Sequence, residues 1–129
     1  MAYNSELLKF EINGSFEIQL THPGDSTDLA YFSDSIKGDG FYGRSDGLHT
    51  AQLNLIGFLG KIVFQGTLAT SPTETDWFDI TETTHTVTST DDSDSSGSFI
   101  YNFTGNFVFI RAYVNNWTDG TVKSIIVNN

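Results

Sequence analysis

The sequence predicts an all-β fold, an antiparallel β-sandwich or jelly-roll-like arrangement in a single domain spanning residues 1–129. Apolar and polar residues alternate over several short runs, which is the pattern of half-buried strands. Turn-forming Gly, Asn and Asp separate these runs, and no segment shows the apolar period of an amphipathic helix. Short strands at regular spacing are typical of sandwiches and barrels. The chain has no internal repeat or linker, and its 129 residues fit one domain.

The first predicted element is a β-hairpin with Asn13-Gly14 at its turn, because alternating runs at 8–12 and 16–20 flank these two residues. Asn and Gly both tolerate the positive φ angles of a type I′ turn. Over residues 22–47 the alternation is lost, apart from a short predicted strand at Leu29–Phe32, and Asp and Gly recur every few residues. Such a long loop-rich stretch usually serves function or interaction.

The stretch Leu53–Asp79 is the part of the chain around which we expect the sheet to form. Alternation extends over 48–56, breaks at Gly57 and Gly60, and resumes over 61–68. Two alternating runs separated by glycines predict a hairpin.

The second of these runs is expected to be a half-buried strand, with Ile62, Phe64 and Leu68 on one face. Pro72 offers no N–H to a ladder, so pairing should end before it. Trp77 then begins a predicted returning strand.

The C-terminal part predicts further strands and turns. We expect a Thr-rich strand with at least one solvent-exposed face at 81–90, followed by an exposed connection at 91–98. Two strands, at 98–103 and 106–114, should pair around Thr104-Gly105. A turn at 115–120 and a final strand at 121–127 complete the chain. Both faces of 106–114 are bulky, so this should be a central strand covered on both sides.

The composition excludes several classes of partner. The formal net charge is −10, with only 6 Lys and Arg, so neither nucleic acid nor an anionic membrane surface is expected to bind. Without Cys there are no disulfides or thiolate metal sites. No apolar run is long enough for a transmembrane helix, and the start MAYNSELLKF lacks a secretory pattern. We therefore expect a soluble protein made in a reducing cytoplasm.

The three histidines do not indicate a catalytic site. The three His, at 22, 49 and 85, have no metal-ligand spacing, and no nucleophile motif such as G-x-S-x-G accompanies His49. His49 is expected to be a turn or strand-edge residue that is hydrogen-bonded to its neighbours. A hydrolase is the weakest of the functional hypotheses.

Asp-rich segments raise the question of calcium, since clustered carboxylates can supply its oxygen ligands. The residues concerned are Asp25, Asp28, Asp34, Asp39, Asp46, Asp91, Asp92 and Asp94. Their spacing matches no calcium loop, and Asp favours solvated turns through bonds to its own backbone. No cofactor is expected, with calcium as the weaker alternative.

Trp77 and Trp117 are candidate ligand or interface residues, because each lies beside a turn. An exposed Trp can stack on a sugar ring. The preferred interpretation is that each Trp closes an end of the sandwich and donates its N–H to a loop carbonyl.

Arg111 is the third candidate, since it is one of only two Arg and lies between aromatic residues on a predicted strand. We expect an ion pair with Asp79 or Asp76 and stacking on Phe109 or Tyr113. A binding role is the alternative.

Two segments resemble virion proteins of tailed phages, especially phages that infect cyanobacteria. They are GDGFYGRSDGLHTAQLNLIGFLGKIVFQGTLATSPTETDWFDI, at residues 38–80, and NFTGNFVFIRAYVNNWTDGTVKSIIVNN, at residues 102–129. The second carries Gly-x-Phe before a strand with Arg-Ala, then a turn ending in Gly-Thr. The resemblance implies a small β-sandwich in the phage particle, with no catalytic residues.

The resulting expectation is a virion accessory protein, either a capsid decoration or a tail or baseplate component. Its partners would be capsid or tail subunits, and a homo-oligomer is expected, since symmetric assembly multiplies weak contacts. The alternative is a carbohydrate-binding or host-adhesion module on the virion that uses Trp77, Trp117 or the Asp-rich loop to bind a host surface glycan.

Overall fold

The computed structural model describes residues 10–11, 20–21, 28–33, 35–43, 47–89 and 91–128. These residues form eight strands: β1 (Phe10–Glu11), β2 (Leu20–Thr21), β3 (Leu29–Phe32), β4 (Ile36–Lys37), β5 (Leu48–Thr67), β6 (Phe78–Val87), β7 (Gly97–Thr104) and β8 (Phe109–Asn128). Two short 3-10 turns lie at Glu74–Asp76 and Ser93–Ser95. The predicted all-β class is confirmed.

All eight strands belong to one sheet that is built on β5 and β8. These two strands of 20 residues each run antiparallel along each other. One edge of β5 carries β7 and then β6, and the outer edge of β8 carries β1 to β4. All pairs are antiparallel except that of β1 with β8. The finer prediction of a sandwich or jelly roll is not confirmed, because the described strands form a single sheet.

The β5–β8 pair bends in its middle. The register between the two strands shifts three times between Asn54 and Lys61. Gly57, Gly120 and Asn116 have positive φ angles of 60°, 88° and 50° in this region. A Cβ atom at Gly120 would lie 2.2 Å from the carbonyl oxygen of Gly57, so only glycine fits where the two strands cross most closely.

The bend folds the sheet back on itself. Thr104 at the end of β7 pairs with Leu48, and Phe109 at the start of β8 pairs with Thr67. The chain from 104 to 109 can span at most about 18 Å. On a straight strand, Leu48 and Thr67 would lie about 60 Å apart. The two ends of β5 must therefore face each other across the short connection 105–108.

Aromatic contacts confirm this face-to-face arrangement. The rings of Phe64 and Phe103 are 5.8 Å apart, although Phe103 pairs with His49 at the opposite end of β5. The buried core lies between the two halves of the sheet and includes Leu53, Phe58, Phe64, Ile110, Trp117 and Ile125, each fully buried.

The hairpin predicted between Gly57 and Gly60 is wrong, because β5 continues through both glycines as one strand. The core side of β5 changes at this point from odd residues, such as Leu53 and Leu55, to even ones, such as Phe58. A bulge produces this change, since one extra residue moves the following side chains to the other face.

Two predictions about β8 are also wrong. The turn predicted at 115–120 lies inside β8, where Asn116 and Gly120 adopt the positive φ angles of a bend. β7 pairs with β5 and not with β8. β8 has no edge left for β7, because β5 occupies one edge and β1 to β4 occupy the other. The prediction that 106–114 is central and covered on both faces agrees with the burial of Ile110, Arg111 and Ala112.

The prediction that the strand at 61–68 is half-buried is also wrong. Val63, Gln65 and Thr67 are buried as well as Ile62 and Phe64, so both faces are covered. In contrast, Leu68 is 71% exposed, because β5 ends one residue before it.

The N-terminal predictions are only partly within the described residues. The hairpin turn at Asn13-Gly14 lies outside them, and so do residues 22–27 and 44–46 of the loop-rich stretch. The short strand at Leu29–Phe32 is confirmed as β3, and the strand Ile36–Lys37 was not predicted. None of the helical segments in the described ranges has the length and hydropathy to cross a lipid bilayer.

A partly buried hydrogen-bonded chain joins β6 to β7 and to the connection between them. His85 Nε2 donates to the carbonyl oxygen of Asp94 at 2.9 Å, which leaves Nδ1 to accept the hydroxyl of Tyr101 at 2.6 Å. Ser95 beside Asp94 is also buried, although 91–98 was predicted to be an exposed connection. Burial raises the pKa of Tyr101, and the negative charge of Asp94 raises it further.

We predict that Tyr101 makes the protein lose stability in alkaline solution. Its pKa is higher in the folded than in the unfolded state. As pH rises, the unfolded chain therefore releases this proton first, and the free energy of unfolding falls above about pH 10. Tyr101→Phe should cost about 1–3 kcal/mol at neutral pH, because His85 Nδ1 loses its donor. The variant should then lose less stability than wild type between about pH 9 and about pH 11.

Urea unfolding followed by circular dichroism at several pH values measures both effects. Tyr42→Phe, at an exposed tyrosine, is the matched control and should keep the alkaline decrease of wild type. Equal alkaline losses in wild type and Tyr101→Phe would contradict the assigned role.

Candidate interaction site

Arg111 lies in a row of polar side chains that crosses three strands on the outer face of the sheet. In the register, Gln65 of β5 pairs with Arg111 of β8 on one side and with Asp79 of β6 on the other. Arg111 Nε donates to Gln65 Oε1 at 2.9 Å, and Gln65 Nε2 donates to Asp79 Oδ1 at 2.8 Å. The side-chain amide of Gln65 thus bridges the guanidinium of Arg111 and the carboxylate of Asp79.

Two aromatic rings hold the guanidinium of Arg111. Its Cζ atom lies 4.1 Å from the ring centroid of Phe32 and 4.3 Å from that of Trp77. Phe32 in turn stacks on Tyr113, with centroids 4.3 Å apart. Attraction between a cation and aromatic faces strengthens when the cation is desolvated. We call Arg111 with Phe32 and Trp77 the arginine clamp.

The partner carboxylate of Arg111 is Glu74, at 3.7 Å from Nη2, and not the predicted Asp79 or Asp76. The carboxylate of Asp79 instead accepts a hydrogen bond from Gln65. Asp76 caps the 3-10 turn, where its Oδ2 accepts from the N–H of Thr73 at 2.8 Å. Burial lowers the pKa of Arg111, and Glu74 opposes that shift. The predicted stacking on Phe109 or Tyr113 is replaced by stacking on Phe32 and Trp77.

The two candidate tryptophans have different environments. Trp117 is fully buried at the bend, beside Phe58, and its Nε1 donates to the carbonyl oxygen of Asp119 at 3.0 Å. This is the arrangement of a Trp that fills an end of the core, and it leaves no ring face for a sugar. Trp77 is partly exposed, but Arg111 covers one of its faces.

An apolar groove opens where the two halves of the sheet meet, at the end opposite the bend. It has a volume of about 550 Å³ and is lined by Gly66, Thr67, Leu68, Ala69, Asp76, Phe78, Asn106 and Phe107. Leu68 and Phe78 are 71% and 70% exposed. Phe78 begins β6 and Leu68 follows the last residue of β5, so the core face continues there past the last covered residue.

The absence of a side chain at Gly66 shapes the floor of this apolar groove. A Cβ atom there would lie 2.4 Å from the ring of Phe107, so the ring occupies the space that a larger residue would take. The N–H of Val108 donates to the carbonyl oxygen of Thr67 at 2.8 Å and fixes the segment that carries the ring. Gly66, Phe78 and Phe107 were not predicted as site residues. No sequence signal identified them. Leu68 on the rim belongs to the alternating run 61–68, and its exposure follows from the end of β5 at Thr67.

The charge around the apolar groove is negative. Among the residues that the structure describes, Asp76 is the one charged residue in its lining, and none of those lining residues is Lys or Arg. Glu74 and Asp79 lie within three residues of Asp76 or Phe78 in the sequence. The nearby cation Arg111 is already paired with Glu74.

The remaining candidate residues serve the fold. His49 is buried, and its Nε2 donates to the carbonyl oxygen of Gly105 at 2.9 Å while its ring stacks on Phe103. Asp92 Oδ1 accepts from the N–H of Asp94 at 2.9 Å, a local turn bond of the kind expected. Across the described ranges, no three His, Asp or Glu side chains are grouped to hold a metal ion.

We predict that Arg111→Lys lowers the free energy of unfolding by about 1–2 kcal/mol. A lysine has no planar group to fill the space between Phe32 and Trp77, and it has no Nε–H directed at Gln65. Urea unfolding measures the change, and Lys123→Arg on the same strand is the control, expected within about 0.5 kcal/mol of wild type. A variant Arg111→Lys as stable as the wild type would show that the arginine clamp contributes nothing.

Comparison with protein-family models found no match, and comparison with curated proteins found none either. The geometry of the arginine clamp and of the apolar groove therefore carries the functional argument, together with the sequence resemblance.

Proposed function

We propose that this protein is a structural accessory subunit of a tailed-phage virion, either a capsid decoration or a tail or baseplate component, that acts by protein–protein assembly. The observation that carries the proposal is the apolar groove, with Leu68 and Phe78 on its rim. In this proposal the protein has no catalytic activity and is made in the host cytoplasm before it joins the particle.

The exposure of these two side chains favours binding to another protein. Burying a large apolar side chain contributes about 1.5–3 kcal/mol, and Leu68 and Phe78 are each more than two-thirds exposed. Contiguous exposed apolar surface on a folded protein commonly marks an interaction site. The free energy gained by covering the rim is therefore available to assembly.

The resemblance to virion proteins supports the same surface. All residues that line the apolar groove fall within the two similar segments, at 38–80 and 102–129. Self-association through other surfaces, as expected for a virion protein, would multiply the effect of each such contact.

The carbohydrate-binding alternative is weaker. Trp117 is buried and cannot stack on a sugar without unfolding of the bend. Trp77 has one face against Arg111, so a single partly exposed ring face remains.

We predict that Leu68→Ser weakens binding to virion components about tenfold, because it removes roughly 1.4 kcal/mol of apolar burial. The measurement is co-sedimentation of the protein with capsids and with tails, purified separately from a phage that encodes this chain. Ile100→Ser is the matched control, since Ile100 is 56% exposed on β7 and outside the apolar groove. It should bind within about twofold of wild type.

Two results would argue against this function. The first is a wild-type protein that sediments with neither capsids nor tails. The second is a Leu68→Ser variant that binds as well as Ile100→Ser. Light scattering on each variant checks that its oligomeric state is unchanged.

A further inference from the structure

We infer that the apolar groove receives a large apolar side chain of a different virion protein, in a segment where Lys or Arg flanks that side chain. The inference rests on the proposed function of this surface in assembly and adds the chemistry of the partner.

The floor of the apolar groove is apolar and already formed. Phe107 rests against the backbone of Gly66 and Gly105, where a Cβ atom at either glycine would lie 2.4 Å from its ring. Backbone bonds from Val108 to Thr67 and from Gly105 to Gly47 hold both ends of this segment. A preformed floor reduces the conformational entropy lost on binding. The part of the partner that enters should therefore be apolar.

The size of the apolar groove suits a side chain better than a folded surface. Its volume of about 550 Å³ lies in the range of small-ligand pockets, roughly 300–1,000 Å³. The two exposed side chains, Leu68 and Phe78, stand on its rim and can contact an inserted apolar group from its sides.

The rim supplies the charge preference. The carboxylate of Asp76 is fixed by Thr73, which donates from its N–H at 2.8 Å and from its hydroxyl at 3.1 Å. Glu74 is paired with Arg111 and Asp79 accepts from Gln65 on the outer face, so Asp76 is the carboxylate that belongs to the lining. None of the lining residues in the described part of the chain is a cation. Complementary charge selects partners and speeds their encounter. Basic residues beside the inserted apolar group would meet this rim.

The same charges disfavour a second copy of this chain as the occupant. With a formal net charge of −10, a second copy is a poorly matched partner for a lining whose charged residue is Asp76. Like charges placed opposite each other reject a partner. The occupant is therefore a heterologous basic segment.

The experiment uses three synthetic hexapeptides and the ¹⁵N-labelled chain of 129 residues. The first has a central Leu-Phe pair between lysines, the second replaces the lysines with glutamates, and the third replaces Leu-Phe with two serines. Chemical-shift changes in titrations locate and rank binding. We expect the first peptide to shift the amides of 66–69, 78 and 107, and to bind at least about tenfold more tightly than either other peptide.

Protein variants and changes in salt concentration test the apolar and the charged contacts separately. Leu68→Ser should weaken the first peptide about tenfold, and Ile100→Ser should leave it unchanged. Asp76→Asn should reduce its preference over the glutamate peptide, as should higher salt. Asp79→Asn removes a carboxylate on the outer face, outside the lining, and is the control that should keep the preference of wild type.

The inference is overturned if no peptide shifts these amides, or if the glutamate peptide binds as well as the lysine peptide. It is also overturned if sedimentation equilibrium shows a homodimer that Leu68→Ser dissociates, since a second copy is then the occupant. If the peptides fail to bind in the expected order while binding to capsids or tails still depends on Leu68, the proposed function stands, and only the inferred chemistry of the partner is rejected.

Discussion

The bend in the long β5–β8 pair is the constraint on which the rest of the structure depends. At this bend Gly120 passes so close to Gly57 that no side chain fits between them. Positive φ angles at both glycines and at Asn116 turn the two strands together. The bend converts a sheet that would otherwise expose one apolar face into two facing halves that bury it. Trp117 fills the inside of the bend.

The candidate interaction site is a consequence of this folding. Where the halves meet opposite the bend, the segment 105–108 crosses from one to the other and places Phe107 against Gly66. The core face continues past this crossing as Leu68 and Phe78. On the outer face, the connection from β5 to β6 returns over the sheet, and Trp77 and Glu74 engage Arg111 there. Asp76 of that connection supplies the negative charge in the lining of the apolar groove.

The sequence was informative about the strands and less so about their connections. Alternation identified the two halves of β5 and the covered part of β8, and strand-forming residues indicated β3, β6 and β7. It could not distinguish a hairpin from a bulged bend, because a change of phase beside Gly57 and Gly60 is common to both. The pairing of β7 with β5 depends on which strand edges are free, which is a property of the whole sheet.

The site was predicted only in part. Arg111 among aromatic residues was a correct signal for stacking, but its partners Phe32 and Glu74 are distant in sequence and meet it only through the fold. Trp117 is buried because the bend encloses it. Leu68 was expected on the buried face of its strand, and the alternation does assign it to the same face as Ile62 and Phe64. Its exposure follows from where β5 ends, which the periodicity does not determine.

The most direct test of this account is a nuclear Overhauser measurement between aromatic rings on opposite halves of the sheet. With the bend, the rings of Phe64 and Phe103 are 5.8 Å apart and should give cross-peaks. Without it, Phe64 would lie about 50 Å along the strand from His49, the pairing partner of Phe103. Cross-peaks between these rings are the predicted result. Their absence, together with intact β5–β8 pairing, would contradict the folded-back sheet and the apolar groove built on it.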